Sequence, residues 1–214
     1  MTVAEFARRA ALGCAAVLGS ALLAACSGAT GGTAQPAPAS ASSPADTSGA
    51  NPAVPKVGHP LDVSAYVGDP CRTVPPSVLT PLGYTTPGEP HTAAAADTSA
   101  GPYCGWLIGA EGLSVQVGLL TGNRDRGTGG LSGLYQGKAA GQVGFLAPAP
   151  AVAGYPAVYT GLRDRRARGD CGLDVGIADD LVFSVAALGY QGEQDSCHVA
   201  ETVAAAVVGT LKGA

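Results

Sequence analysis

Few side chains in this chain are equipped for chemistry, and their spacing narrows what that chemistry is. The candidates are six cysteines, three histidines and one short run of arginines. Cys71, Cys104, Cys171 and Cys197 lie beyond residue 60. No Cys-x-x-Cys pair occurs among them, and the one adjoining histidine is His198 beside Cys197, so the ligand spacing of a structural zinc site is missing and no metal is expected. An even set of cysteines in an exported chain forms disulfides instead. Three pairings are possible. Cys71–Cys104 with Cys171–Cys197 is the expected one, because each bond then joins a predicted strand to a nearby helical segment. Each closes a loop of about 30 residues and constrains the unfolded chain by roughly 3–4 kcal/mol. His59 falls in a predicted linker and His91 in a loop from Thr85 to Gly101 that is rich in Ala, Pro and Thr. Gly127-Thr128-Gly129-Gly130 lacks the following Lys-Ser/Thr of a phosphate-binding loop, and no nucleophile elbow or paired-histidine zinc motif is present. Asp179-Asp180 reads as a turn rather than as a pair of working carboxylates. No catalytic residue and no cofactor is expected. Two features suit binding. Arg163, Arg165, Arg166 and Arg168 could meet anionic headgroups, sugars or an acidic partner, or simply form a solvated hairpin tip. Ser114, Gly118, Gly172, Gly176 and Ser184 leave one sheet face bare, for something flat or for the protein's own helix.

The remaining cysteine of interest stands at the end of an export signal. Arg8 and Arg9 precede an uncharged run from Ala10 to Ala25, which closes on Leu23-Ala24-Ala25-Cys26. The run is shorter and less apolar than the roughly 20 residues of a spanning helix, so residues 1–25 are expected to be cleaved. Leu-Ala-Ala-Cys resembles the lipobox of bacterial lipoproteins. That resemblance implies a diacylglycerol on the Cys26 thiol, cleavage before it, acylation of the new N-terminus and a lipid anchor on the outer face of the cell membrane. Cys14 sits too early in the signal to serve. Residues 26–60 read as a linker. Between Ser27 and Ala53 there is no Leu, Ile, Val or aromatic residue, and Asp46 is the only charge. Such a segment buries too little to offset the entropy of ordering, and reaches roughly 30 Å as a tether.

Residues 61–214 suffice for one domain. Tyr103 to Gly109 alternates, with Cys104, Trp106 and Ile108 on one side; Leu113, Val115, Val117 and Leu119 share a face; Ala110-Glu111-Gly112 between them suits a hairpin. Cys171, Leu173, Val175 and Ile177 alternate with Gly172, Asp174, Gly176 and Ala178 before Leu181 to Val185. Period two predicts an antiparallel sheet with one buried and one wetter face. A further strand from Tyr155 to Thr160 carries Pro156, a sign of an edge or a bulge. Val199, Val203, Val207 and Leu211 stripe a terminal helix from Ser196 to Leu211, capped by Asp195 or Ser196. A short helix is expected over Pro76 to Leu82, and a glycine-weakened one around Leu131, Leu134, Tyr135 and Lys138. The fold class is α+β: a single domain, mostly antiparallel sheet, with a C-terminal helix packed on it and two disulfides.

Charged residues make up 13% of the chain and the net charge is −4, which leaves no basic surplus for phosphate contacts, so nucleic acid is not an expected partner. The order Asp69-Pro70-Cys71, Leu82-Gly83, Cys104-Gly105-Trp106, Gly154-Tyr155-Pro156-Ala157, Cys171 and Cys197, over Leu61 to Leu211, resembles the actinobacterial lipoproteins of the DUF3558 domain family. The chain departs from that pattern at Pro75-Pro76, where helix formers are usual. The resemblance implies a compact α+β domain in the cell envelope and brings no catalytic residues with it. Two functions are expected from these readings: a non-enzymatic envelope module that binds a protein partner, or a small-ligand or lipid carrier with a cavity between sheet and helix.

Overall fold

The computed structural model describes residues 54–92 and 99–213. Seven strands form one sheet: β1 Glu89–His91, β2 Tyr103–Ile108, β3 Leu113–Leu119, β4 Phe145–Pro148, β5 Ala157–Gly161, β6 Cys171–Ala178 and β7 Leu181–Leu188. Four helices accompany them: α1 Pro76–Leu79, α2 Thr121–Asp125, α3 Gly130–Ala139 and α4 Glu193–Lys212. The strand order is β1-β2-β3-β7-β6-β5-β4, and every pairing is antiparallel. Two meanders, β1 to β3 and β4 to β7, join where β3 meets β7. Pro90 in β1 and Pro148 in β4 stand in the two edge strands, where a missing backbone donor interrupts further pairing.

Alternation builds the core as expected. Cys171, Leu173, Val175 and Ile177 of β6, Phe183, Val185 and Ala187 of β7, and Val115, Val117 and Leu119 of β3 are all fully buried. Registered pairs such as Trp106 opposite Val115 and Leu173 opposite Val185 place these residues on one face. α4 lies over that face with Ala200, Val203, Ala204, Val207 and Val208 buried against it. Each buried Val or Leu there contributes about 1.5–3 kcal/mol relative to exposure.

Both expected disulfides are present. Cys71–Cys104 (S–S 2.04 Å) fastens the 3-10 turn Pro70–Thr73 to β2, and Cys171–Cys197 (2.07 Å) fastens the start of β6 to the first turns of α4.

Four expectations need correction. α4 begins at Glu193, so Asp195 and Ser196 lie inside its first turn and neither caps it; the Ser196 hydroxyl donates back to the Gly192 carbonyl (2.8 Å). The helix expected over Pro76 to Leu82 divides into α1 and a 3-10 turn, Thr80–Leu82. Pro81 is the physical reason, since its ring clashes with a continuing α-helix and removes a donor. His91 belongs to β1 rather than to a loop. The strand near Tyr155 starts at Ala157 and is internal, flanked by β4 and β6, while Pro156 precedes it and accepts a hydrogen bond from Gly176 through its carbonyl.

The face expected to be wetter is half covered. α3 packs there, with Leu131, Val158 and Val182 buried and Leu134, Tyr135 and Leu146 against them. Gly176 makes room: a Cβ on it would sit 3.0 Å from Leu131. Residues 54–60, read from the sequence as linker, touch the sheet as well. Val57 N and Lys56 Nζ donate to Asp179, and Val54 packs with the α3 cluster.

Replacing Cys171 and Cys197 together by alanine removes the fastening between α4 and the sheet. The expected cost is about 3 kcal/mol, read as a fall in melting temperature on the order of 10 °C, with the parent chain falling further under reductant, which opens Cys71–Cys104 as well.

Candidate functional site

The four arginines singled out by the sequence lie between β5 and β6, and the structure divides them. Arg166 is committed internally. Its side chain is only 19% exposed, pairs with Asp164 and Glu193 at 2.8 Å each, and lies over the rings of Phe145 (4.9 Å) and Tyr159 (5.0 Å). One guanidinium thus holds the loop, the outer strands and the first residue of α4 together. The hydrogen bond from Arg166 holds the Asp164 carboxyl below the usual aspartate range. Behind it, Tyr159 donates to Glu201, and burial first, then that bond, push the phenol up to about 12. Arg165 pairs with Asp170 at 2.7 Å, and Asp170 also accepts from the Gly189 amide. Arg163 and Arg168 are exposed. The arginines therefore do not converge on one anion.

The small-residue face divides too. Gly176 is under α3, whereas Gly118 and Ser184 line a shallow hollow of about 310 Å³ with Tyr103, Gln116, Leu120 and Ala186. Between these two regions sits Asp174, which alternation had put on the wetter face. It is buried, and Thr160 Oγ1 donates to its carboxylate at 2.6 Å. Burial raises its pKa to about 6, against the opposing effect of the Thr160 bond. A strand pattern states only that Asp174 faces away from the core; that a second layer covers it is a tertiary fact.

An apolar recess was not visible in the sequence. A groove of about 720 Å³ runs beside the Cys71–Cys104 bond, with Leu79, Tyr84, Pro87, Pro90 and Trp106 in its lining and Asp69 and Arg72 also contributing. The Tyr84 and Tyr190 hydroxyls hydrogen-bond to each other at 2.7 Å, and burial, then that bond, drive the Tyr84 phenol well above the ordinary tyrosine range. Residues 85–90, Thr-Thr-Pro-Gly-Glu-Pro, carry no strand alternation in the sequence, and it is β1 that brings them against Trp106. A further recess of about 810 Å³ lies between residues 56–62 and the end of α4, with His59, Asp62, Tyr155 and Lys212 among its walls. Lys212 donates to the Ala153 carbonyl and lies 5.1 Å from the centre of the Tyr155 ring.

The histidines are dispersed. His59 accepts from Tyr155 through its carbonyl, the His91 ring stacks on Tyr103 with centroids 4.2 Å apart, and His198 is exposed on α4. Among the described residues no three His, Cys, Asp or Glu side chains group as metal ligands would. Cys26, Cys14, the expected signal at residues 1–25 and the linker up to residue 53 lie outside the described residues. The arrangement offers apolar contact with a few polar edges, which is binding chemistry.

The model of one protein family, described as a protein of unknown function (DUF3558), matches residues 21–210. No curated protein and no solved structure matches the chain significantly.

Asp174 supplies a pH test. Its folded pKa lies above that of the unfolded chain, so the folded state holds the extra proton. Its penalty is therefore absent near pH 4 and grows as pH rises through about 6, to about 3 kcal/mol. Asp174→Asn keeps a partner for Thr160 and removes the charge. Urea unfolding is expected to show the variant more stable than the parent by about 2–3 kcal/mol near pH 8 and equal to it near pH 4.

Proposed function

The chain belongs to the DUF3558 family, and from that premise we propose that it is an exported lipoprotein, anchored by Cys26 to the outer face of the cell membrane, which acts as a non-enzymatic binding or accessory module of the cell envelope. The observation that carries this reading is where the open space lies. The layer between the sheet and α4 is filled by Phe183, Leu173, Ile177, Val185, Val203 and Val207, all fully buried, while the recesses described above open on the outside of the domain. A carrier that encloses its cargo needs the reverse. The groove beside Cys71–Cys104 is the surface best suited to an apolar segment of an envelope protein, since aromatic and proline walls offer contact area with little conformational entropy to lose.

Three features of the chain support the location. The Arg8-Arg9, apolar run and Leu-Ala-Ala-Cys26 order is that of an export signal with a lipidated cysteine. Two disulfides suit an oxidising compartment. No helix among the described residues is long and apolar enough to cross a membrane. In this reading the lipid, and not a spanning segment, holds the protein at the surface.

Detergent phase partitioning of the protein made in a bacterial host tests the anchor. The parent is expected in the detergent phase with an intact mass that includes the acyl chains, and Cys26→Ser in the aqueous phase; a parent with a free thiol in the aqueous phase overturns the reading. Native mass spectrometry of the gently extracted parent tests the module, with no stoichiometric ligand expected beyond the anchor. A bound lipid at one equivalent would favour the carrier instead.

A further inference from the structure

Leu162 is 90% exposed, far more than the other large apolar residues on the described surface, Leu107 and Val67. A lone exposed leucine is ordinary. This one stands at the base of the β5–β6 loop beside the exposed Arg163, with Arg165 and Arg168 also exposed along the same loop. From Leu162 to Arg168 there are four arginines and one aspartate, in a chain whose net charge is −4. Asp170 and Glu193 pair with Arg165 and Arg166, so the basic character of this loop on an acidic molecule rests on Arg163 and Arg168. The loop is also held in shape. Arg166 is pinned to Asp164, Glu193 and two aromatic rings. Gly144 approaches the Leu162 carbonyl so closely that a Cβ there would overlap it. Lys138 donates to the Gly144 carbonyl at 2.7 Å.

We propose that the loop Leu162–Arg168 is a membrane-contact tip, in which Leu162 enters the headgroup region of an anionic phospholipid surface while Arg163 and Arg168 meet the lipid phosphates. The shape favours lipid over protein. The few exposed residues of this loop offer far less area than a specific protein interface requires, whereas a bilayer needs no matching contour. Arginine stems lie along the acyl boundary with their heads among phosphates. The acidic remainder of the surface is repelled by the same bilayer, so the tip sets the orientation. The contact is weak by itself, about fivefold per arginine. Its weight in the cell rests on the anchor proposed above, because a tether raises the local concentration of the tip at the bilayer.

The test is independent of that anchor. The chain from Ser27 onward contains the whole described fold and lacks the lipidated cysteine. It is mixed with vesicles of phosphatidylcholine alone or of phosphatidylcholine with phosphatidylglycerol, and bound protein is measured by co-sedimentation. Binding is expected only to the anionic vesicles and is expected to vanish at about 1 M salt, where the screening length is about 3 Å. Arg163→Glu and Arg168→Glu each weaken it by about fivefold or more, and Leu162→Ser weakens it by about fivefold. All three side chains are exposed, so the melting temperature stays at the parent value. Arg124→Glu, the same charge change on α2, leaves binding at the parent level. Equal binding to both vesicles, no effect of Leu162→Ser, or an equal loss from Arg124→Glu overturns the proposal. So does a salt-sensitive complex with an acidic protein that is lost in the loop variants while the vesicles bind nothing. A Cys26 without lipid would defeat the anchor and leave the vesicle result standing.

Discussion

The packing of α4 across β6 and β7 is the interaction on which the rest of the molecule depends. The chain has only three Phe, one Trp and one Met, so the core is filled with short side chains. Val and Ala exclude water only when backbones approach closely, and that requires the helix to lie in register along the sheet. Val203, Ala204, Val207 and Val208 provide the surface, and Cys171–Cys197 fixes the register at one end. A slip of a turn would set small residues opposite small residues and open cavities, each costly in proportion to its volume. The disulfide reduces the number of unfolded conformations against which this close fit must compete.

The opposite face of the sheet shows what the same composition does without a long helix to cover it. α3 is short and rich in glycine, and it protects β5, β6 and part of β7. The sheet beyond it keeps a shallow open hollow at Gly118 and Ser184. Asp174 falls at the boundary, far enough under cover to lose its hydration and with Thr160 as its hydrogen-bond partner. It is the one buried carboxylate in the described structure, and it costs stability at neutral pH. Arg166 has the opposite character. It brings two carboxylates and two aromatic rings to a single guanidinium at the corner where β4, β5 and α4 meet. By taking Arg166 out of the charged run it fixes the loop and leaves its neighbours facing solvent. An apparently uniform basic cluster thereby becomes one structural residue, one surface ion pair and two exposed cations.

Much of the architecture could be read from residue order. The alternation of Leu113, Val115, Val117 and Leu119, the turn at Asp179-Asp180, the four-residue stripe of α4 and the two disulfides all follow from local periodicity and from the parity of the cysteines. What escaped were elements whose signal is short. β1 and β4 each hold a proline and run for only a few residues, and their existence depends on hydrogen bonds offered by neighbours distant in the chain. The groove at Trp106 escaped for the same reason, since its walls come from separate segments that only the sheet brings together.

The sequence by itself determined the fold class and the core-facing residues of the long strands and helix, because periodicity acts within a few residues; the parity of the cysteines left three pairings, of which the structure has the expected one. The sequence also holds the residue order from Arg8-Arg9 to Cys26 on which the proposed location rests. Only the tertiary structure decided that Asp174 is buried, that Arg166 belongs to the scaffold while Leu162 stands in solvent, and that open space lies outside the core. Burial and ion pairing depend on which surfaces meet across long stretches of chain, and no local pattern records that meeting.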